Sequence, residues 1–347
     1  MTSRSIHLVG TLPTESTKEA MAWAMWILGR TLGPTMPDGE TGERRDWVNR
    51  LIENLKGHPD LELKGEEGSS GYQERAAFRV KKGRQLRSVE LDYFAEFEKS
   101  WPLYQEIVQP AGRRLQVGIP GHVDVAAVAF GFNLPTALRN LAPFRDATIR
   151  ELAAIWDHGG TQVTFQLEVP VELKILTRIP VPGRWVAAKQ IAREILKVVE
   201  AAPDGSRYGL HLCLADLSNE PMGRPVDAGP LVALANALMA AWPAGRVLEY
   251  LHVPLANGSE IPTMDPDYYA PLSELWLPDH VRFIGGFIHE RSTIKNLIMI
   301  RDQIEYNLGR RIDIGASCGL GRRQRPVARR NLDMALAVAT QNLADRE

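Results

Sequence analysis

Strand-like and helix-like stretches alternate along almost the whole chain, and no other feature of the sequence constrains the fold as tightly. Short apolar runs bounded by Gly, Pro or polar clusters read as strands at 6–12, 115–119, 162–168, 208–213, 247–253, 281–289 and 312–317. Between them, apolar residues recur at helical spacing over 16–32, 89–108, 148–158, 185–202, 229–242, 292–308 and 326–343. A strand–helix–strand repeat of this length points to a parallel sheet wrapped by helices, because parallel neighbours need a crossover. A strand count near eight favours a closed (β/α)8 TIM barrel over an open sheet. The expected organisation is one barrel domain over 1–347. A charged, Gly-rich segment at 53–87 reads as an insertion or lid, and a Pro-punctuated loop at 257–278 is a second departure from the repeat.

Balance of charge narrows the partners. The chain carries 41 basic and 42 acidic residues, a formal net charge of −1. No electrostatic footprint for nucleic acid or an anionic membrane surface is visible. No run approaches the ~18 apolar residues that span a bilayer. The first ten residues lack a basic stretch followed by an apolar one, so the expected setting is the cytoplasm. A local basic cluster, Arg322, Arg323, Arg325, Arg329 and Arg330, reads either as a solvated helix start or as a small anion site.

Only two cysteines occur, Cys213 and Cys318. A reducing setting argues against a disulfide, which leaves packing as small hydrophobes or metal ligation. Barrel active sites sit at the C-terminal ends of the strands. The residues expected there are Thr11, Glu40, Pro120, Glu168, His211 with Cys213, His252, His289 and Cys318. His211 and Cys213 are two residues apart, so in a strand both side chains face one side. Cys318 ends the last strand and reaches the same mouth from elsewhere in the barrel. One imidazole and two thiolates make a normal zinc set with an open fourth position, and their softness excludes magnesium and calcium. By spacing alone, a core histidine beside a packed cysteine remains an equal reading.

The motifs add to this. His211-Leu212-Cys213 with Ser317-Cys318-Gly319-Leu320-Gly321-Arg322 resembles the zinc motifs of the cobalamin-independent methionine synthase family, in its C-terminal catalytic barrel. Leu8-Val9-Gly10-Thr11-Leu12-Pro13, Asp38-Gly39-Glu40, Gly118-Ile119-Pro120, Gln166-Leu167-Glu168-Val169-Pro170 and Phe287-Ile288-His289 resemble further motifs of that barrel, in order along the chain. The resemblance implies a Zn2+ ion on His211, Cys213 and Cys318 that holds a substrate thiol as thiolate for attack on an electrophilic carbon. It implies that Glu40 and Glu168 hold the substrate's amino group, that Thr11 lies by the backbone facing its carboxylate, and that His289 assists proton transfer to the leaving group.

Departures from the family pattern matter too. Pro254 falls where the family has a glutamate as fourth zinc ligand. His252 lies two residues earlier on the same face and is grouped with the substrate-binding residues, with replacement ligand and barrel filler as its other readings. Glu249 is out of phase with both and is expected in the helix layer. Glu168 stands where the family has aspartate. No folate-binding feature is recognisable, although Trp47, Trp185 and Tyr268-Tyr269 are candidates to stack on a flat ring. The expected partners are therefore a small-molecule thiol and an alkyl donor or other electrophile. The expected activity is thiol alkyl transfer, most simply of methyl. The alternatives are a carbon–sulfur lyase, a metal-free decarboxylase-like barrel and a small-molecule-binding barrel.

Overall fold

A computed structural model describes residues 4–64, 77–214 and 225–341. Eight parallel strands form one sheet: β1 (Ile6–His7), β2 (Thr35–Pro37), β5 (Arg114–Pro120), β6 (Val163–Glu168), β7 (Arg207–His211), β8 (Val247–Pro254), β9 (Arg282–Ile288) and β10 (Asp313–Ala316). Their order, β1-β10-β9-β8-β7-β6-β5-β2, places the first two strands at opposite ends of the sheet. A bridge between Ile6 and Leu32, with Gly33 N donating to Ile6 O at 2.8 Å, draws those ends together. This is the TIM-barrel fold. Crossover helices cover it: α1 (Thr17–Leu28), α3 (Tyr93–Ile107), α6 (Leu141–Gly159), α8 (Val181–Ala201), α9 (Gly229–Ala240), α11 (Ile294–Leu308) and α12 (Arg325–Thr340).

The lumen is polar rather than filled with branched aliphatics. At its lower end Glu249 bonds Arg114 and Arg207, both at 2.7 Å, while Arg282 pairs with Asp313 at 2.6 Å. Above them Tyr250 OH donates to Gln116 Oε1 and Gln166 Oε1, and Thr35 Oγ1 and His7 Nε2 join the same network. Gly209 makes room for that tyrosine: a Cβ there would stand 1.9 Å from Tyr250 Cζ. Glu249 corrects one expectation. The β7–β8 register passes from Tyr208–Leu248 to Gly209–Tyr250, so Glu249 is bulged out of the alternation and pairs with arginines at the strand starts, not with helices.

Several boundaries also differ from those expected. The first strand stops at His7 rather than running to residue 12. Side-chain amides take over from the ladder there: Gln116 Nε2 donates to Leu8 O and Val9 O, and Gln166 Nε2 to Val9 O at 2.6 Å. β2 has only three residues, ends in a proline, and is not visible as a strand in the sequence. Helices α2 (Trp47–Leu55), α4 (His122–Ala129), α5 (Leu134–Arg139), α7 (Pro170–Thr177) and α10 (Pro266–Tyr269) are additions. All eight residues of α4 are buried, so it shows no polar face for periodicity to reveal.

The 53–87 region contains the end of α2 and an antiparallel hairpin, β3 (Leu61–Lys64) with β4 (Ala77–Val80); residues 65–76 lie outside the described residues. Val48, Leu51, Leu55, Leu61 and Phe78 share a second apolar cluster with α4 and α6, apart from the main core. The described part of the segment thus packs against α2, α4 and α6.

Candidate metal centre and adjoining carboxylates

β7 ends at His211, and a tight turn in which Cys213 N donates to His211 O at 2.9 Å returns Cys213 beside it. The strand expected to reach Cys213 therefore stops two residues sooner, yet the turn keeps both side chains together. Cys318 lies two residues beyond β10, and neither cysteine is in a disulfide. Its loop is clamped to the segment after β1: Leu320 N donates to Thr11 O at 2.8 Å, and Gly321 N to Thr11 Oγ1 at 3.1 Å. Glycine is needed for this approach, since a Cβ on Gly319 would stand 2.2 Å from Thr11 Oγ1.

One potential ligand atom from each of His211, Cys213 and Cys318 lies within 4.8 Å of the others. Ligands around tetrahedral zinc stand roughly 3.6–3.8 Å apart, so a contraction of about an ångström closes the set. The hydrogen bonding identifies the nitrogen that is left over. His252 Nε2 is 2.9 Å from Ala316 O, which can only accept, so this nitrogen carries the proton. Burial pushes the His252 imidazole down to about 4, so it is neutral and its Nδ1 is an acceptor. His211 Nδ1, 2.7 Å away, must then donate. Burial, with His252 and His7 nearby, also holds His211 well below the ordinary histidine range. Its Nε2 lone pair is buried and has no hydrogen-bond partner. A neutral imidazole with one nitrogen anchored and the other bare is the form that binds a metal ion. His252, grouped by sequence with the substrate-binding residues, spends both nitrogens inside the barrel. Gly286 admits it, since a Cβ there would be 2.7 Å from His252 Nε2.

Glu40 and Glu168 stand beside this group. Glu40 follows Gly39 with φ of 41°, a left-handed conformation that is strained for a non-glycine residue. Asp38 Oδ1 accepts the Glu40 N–H at 2.9 Å and steadies the turn, and Arg44 holds Asp38 through two bonds of 2.6 and 3.1 Å. The Glu40 carboxylate fits against glycine backbone, for a Cβ on Gly118 would be 2.7 Å from its Oε1. Exclusion of water and the charge of Glu168 push Glu40 up to about 8, against the opposing pull of Arg44. Glu168 ends β6 and accepts from Gln166 Nε2 at 3.1 Å. Loss of water and the nearby Cys318 raise it to about 7. The charge of Arg322 pulls both carboxyls the other way without offsetting their burial.

His289, directly after β9, is buried; its Nδ1 accepts from Arg291 N at 3.2 Å and its Nε2 faces Gly258 O at 3.4 Å. It is outside the three-residue group. Pro254 closes β8 and offers no ligand atom. The basic cluster is largely partnered: Arg323 bonds Glu290, Arg325 pairs with Glu19, and Arg329 pairs with Asp333. Of the candidate stacking aromatics, Trp185 lies under Lys189, and Tyr268 and Tyr269 pack on each other. Trp47 lines a cavity next to Glu40 and Glu168. Sequence reading missed this cavity and its other aromatics, Tyr93 and Phe97, because they come from helix starts far apart in the chain.

No family model and no curated protein sequence matches the chain. Solved structures do. A B12-independent methionine synthase from a Shewanella species, in complex with selenomethionine, superposes with a TM-score of 0.64 at 10% identity, covering 97% of each chain. A methyltransferase from Methanosarcina mazei gives 0.51 at 12% identity, covering 98% of this chain and 94% of its own. A B12-independent methionine synthase-like protein from Listeria monocytogenes gives 0.52 at 12% identity, over 93% and 86% of the two chains. The structural neighbours are methionine synthase and methyltransferase barrels. At these identities the likeness is one of fold. The His211, Cys213 and Cys318 group stands on its own geometry. No helix among the described residues is long and apolar enough to cross a membrane.

Proposed function

We propose that this barrel is a zinc-dependent transferase that activates a small-molecule thiol for alkyl transfer, with methyl as the simplest group transferred. The observation that carries the reading is the bare, buried Nε2 of His211 beside the thiols of Cys213 and Cys318. A zinc ion held by these three residues would leave a position for a substrate thiol and keep it deprotonated at neutral pH, where a free thiol near pKa ~8.5 is mostly protonated.

The chain's own residues supply the rest. His252 fixes the His211 tautomer through Ala316 O. Thr11 fastens the Cys318 loop, and the backbone beside it is where a substrate carboxylate would rest. Glu40 and Glu168 hold a cationic group of the substrate, whose charge relieves their mutual repulsion. His289 is neutral, lowered by burial against the opposing charge of Glu290, and serves as the proton carrier toward the leaving group. The fold of the methionine synthase and methyltransferase neighbours supports the transferase reading, as does the resemblance of the chain's motifs to the methionine synthase family. The chain acts as one domain, and Asn54 of the 53–87 region lines the cavity beside Glu40 and Glu168.

Elemental analysis of reduced, chelator-free protein, with X-ray absorption at the zinc edge, tests this. About one zinc per chain with two sulfur scatterers is expected, and a third sulfur on adding a substrate thiol. Protein that purifies without zinc under these conditions overturns the reading in favour of a metal-free decarboxylase-like or binding barrel.

A further inference from the structure

The cavity beside Glu40 and Glu168 has a volume of about 90 Å³ and extends away from the cysteines, between the ends of β2 and β5 and the helices α2 and α3. None of the three metal-centre residues lines it, whereas Glu40 and Glu168 do. Trp47, Tyr93 and Phe97 supply aromatic walls, and the lining is more apolar than polar.

Charge decides what such a space can hold. Five carboxylates, Asp38, Glu40, Asp92, Glu96 and Glu168, line it against two guanidinium groups, Arg44 and Arg50. Both arginines are already committed: Arg44 grips Asp38 through two bonds, and Arg50 pairs with Glu96. An anionic ligand would find no uncommitted cation among the lining side chains and would face the Glu40–Glu168 pair. No hydrogen bond or salt bridge among the described residues reaches the Glu40 carboxylate. A small hydrated cation would leave the aromatic walls unused. A primary ammonium would be satisfied by the carboxylates alone and would leave the faces of Trp47, Tyr93 and Phe97 without a role. An alkylated cation matches both: its positive charge faces the carboxylates and its carbon shell meets the rings.

We propose that this cavity binds an alkylated onium ion, a quaternary ammonium or tertiary sulfonium group on an apolar body. The binding site stands on the cavity alone; the cation's part as a reactant rests on the thiol-transfer reading. Two sources share this chemistry: the substrate thiol's own charged end, or a separate alkyl donor.

The test uses benzyltrimethylammonium as probe, with benzyl alcohol and benzoate as neutral and anionic counterparts, titrated calorimetrically into full-length protein with and without bound zinc. The onium ion is expected to bind at least about tenfold more tightly than either counterpart. Glu40→Gln and Glu168→Gln, with melting curves confirming the fold, should each weaken it about tenfold or more. Trp47→Leu should weaken it about five- to tenfold. Benzoate binding equally well, or onium binding unmoved by both glutamine variants, overturns the proposal. Competition then separates the sources: 2-mercaptoethanol at the zinc, seen as a third sulfur, coexists with the probe in either case. A trimethylammonium-bearing thiol such as thiocholine displaces the probe while adding its sulfur only if the charged end is the thiol's own. Reduced protein that purifies without zinc and takes none up, yet binds the onium ion, sinks the thiol-transfer reading and leaves the cavity assignment. Zinc-bearing protein that ignores the probe does the reverse.

Discussion

The hydrogen bonds from His211 to His252 to Ala316 O turn two buried imidazoles into one oriented ligand. Each ring is neutral, each proton has a defined acceptor, and one lone pair remains. Removing the second ring leaves His211 Nδ1–H without an acceptor and lets the first ring rotate or change tautomer. His252→Leu is therefore expected to lower zinc affinity about 10–100-fold without touching a ligand, measured by competition with a chromophoric chelator. Unchanged affinity would show that the histidine pair only fills the lumen. Glu249 gives the opposite expectation. Its carboxylate, bonded to Arg114, Arg207 and Thr164, balances charge at the far end of the barrel. Glu249→Gln should leave zinc affinity unchanged while lowering stability by roughly 3 kcal/mol in urea denaturation, because two partly buried guanidinium groups lose their counter-charge. A large loss of zinc would place Glu249 at the metal instead.

At the scale of elements, the site depends on loops brought into register by small residues. The segment 319–321 lies against Thr11 so closely that a methyl on Gly319 would collide with backbone as well as side chain, 3.0 Å from Thr11 N. Gly319→Ala is expected to push the Cys318 loop outward and weaken zinc binding about tenfold or more, with a far smaller effect on the melting temperature of zinc-free protein. Equal losses in both would mean that the clamp serves the fold, not the ligand. The starts of α4 and α7 hold a second such arrangement. Asp124 and Glu172 are buried side by side, with Asp124 Oδ2 and both Glu172 oxygens unpartnered, which disfavours ionising both, and Asp124 also caps Val171 N at 2.6 Å. Burial pushes Glu172 up to about 7, and burial with the charge of Glu172 holds Asp124 well above its usual range. Between pH ~4.5 and ~7 the folded pair keeps protons that the unfolded chain has released, so stability falls as pH rises through that window. Glu172→Gln should raise stability at pH 8 by on the order of 2 kcal/mol and change it little at pH 4.5, read from urea curves at the two values. A gain of the same size at both pH values would contradict proton retention by the folded pair.

What the sequence shows at this scale follows from periodicity. Crossover helices with one polar face, such as α8 and α11, stand out, as do strands that alternate, such as β6. The wholly buried α4, the three-residue β2 and the helix α7 starting on Pro170 have no such signature. The motif residues around His211, Cys213 and Cys318 are likewise visible, because metal ligation needs particular side chains at particular strand ends. The His252 relay and the cavity under α2 are not, because each depends on which side chains meet across the ring. The β8 bulge that moves Glu249 out of phase is invisible to a strict count of two.

Across the whole molecule, the proposed ligands come from distant parts of the ring. His211 ends β7 and Cys318 follows β10, with β8 and β9 between them in the sheet. The ring itself is completed through a two-residue first strand and one bridge, and Thr11 links that strand's trailing segment to the Cys318 loop. A metal ion on His211, Cys213 and Cys318 would cross-link the mouth on the side where the ladder is shortest. A ligand that binds only the folded chain stabilises it by RT ln(1 + [L]/Kd), about 4 kcal/mol at a thousandfold excess over Kd. Chelation of the wild-type protein is therefore expected to lower its thermal midpoint by several degrees, roughly 1–2 °C for each kcal/mol at this chain length. Cys318→Ser, which lacks the cross-link, should melt near the chelated wild type and be insensitive to chelator. Added zinc should restore the wild type and leave the variant unchanged. If chelation leaves the wild-type midpoint where it was while zinc is shown to have departed, the ion is held by a mouth that was already rigid, and the short first strand is secured by the lumen's hydrogen-bonded network alone.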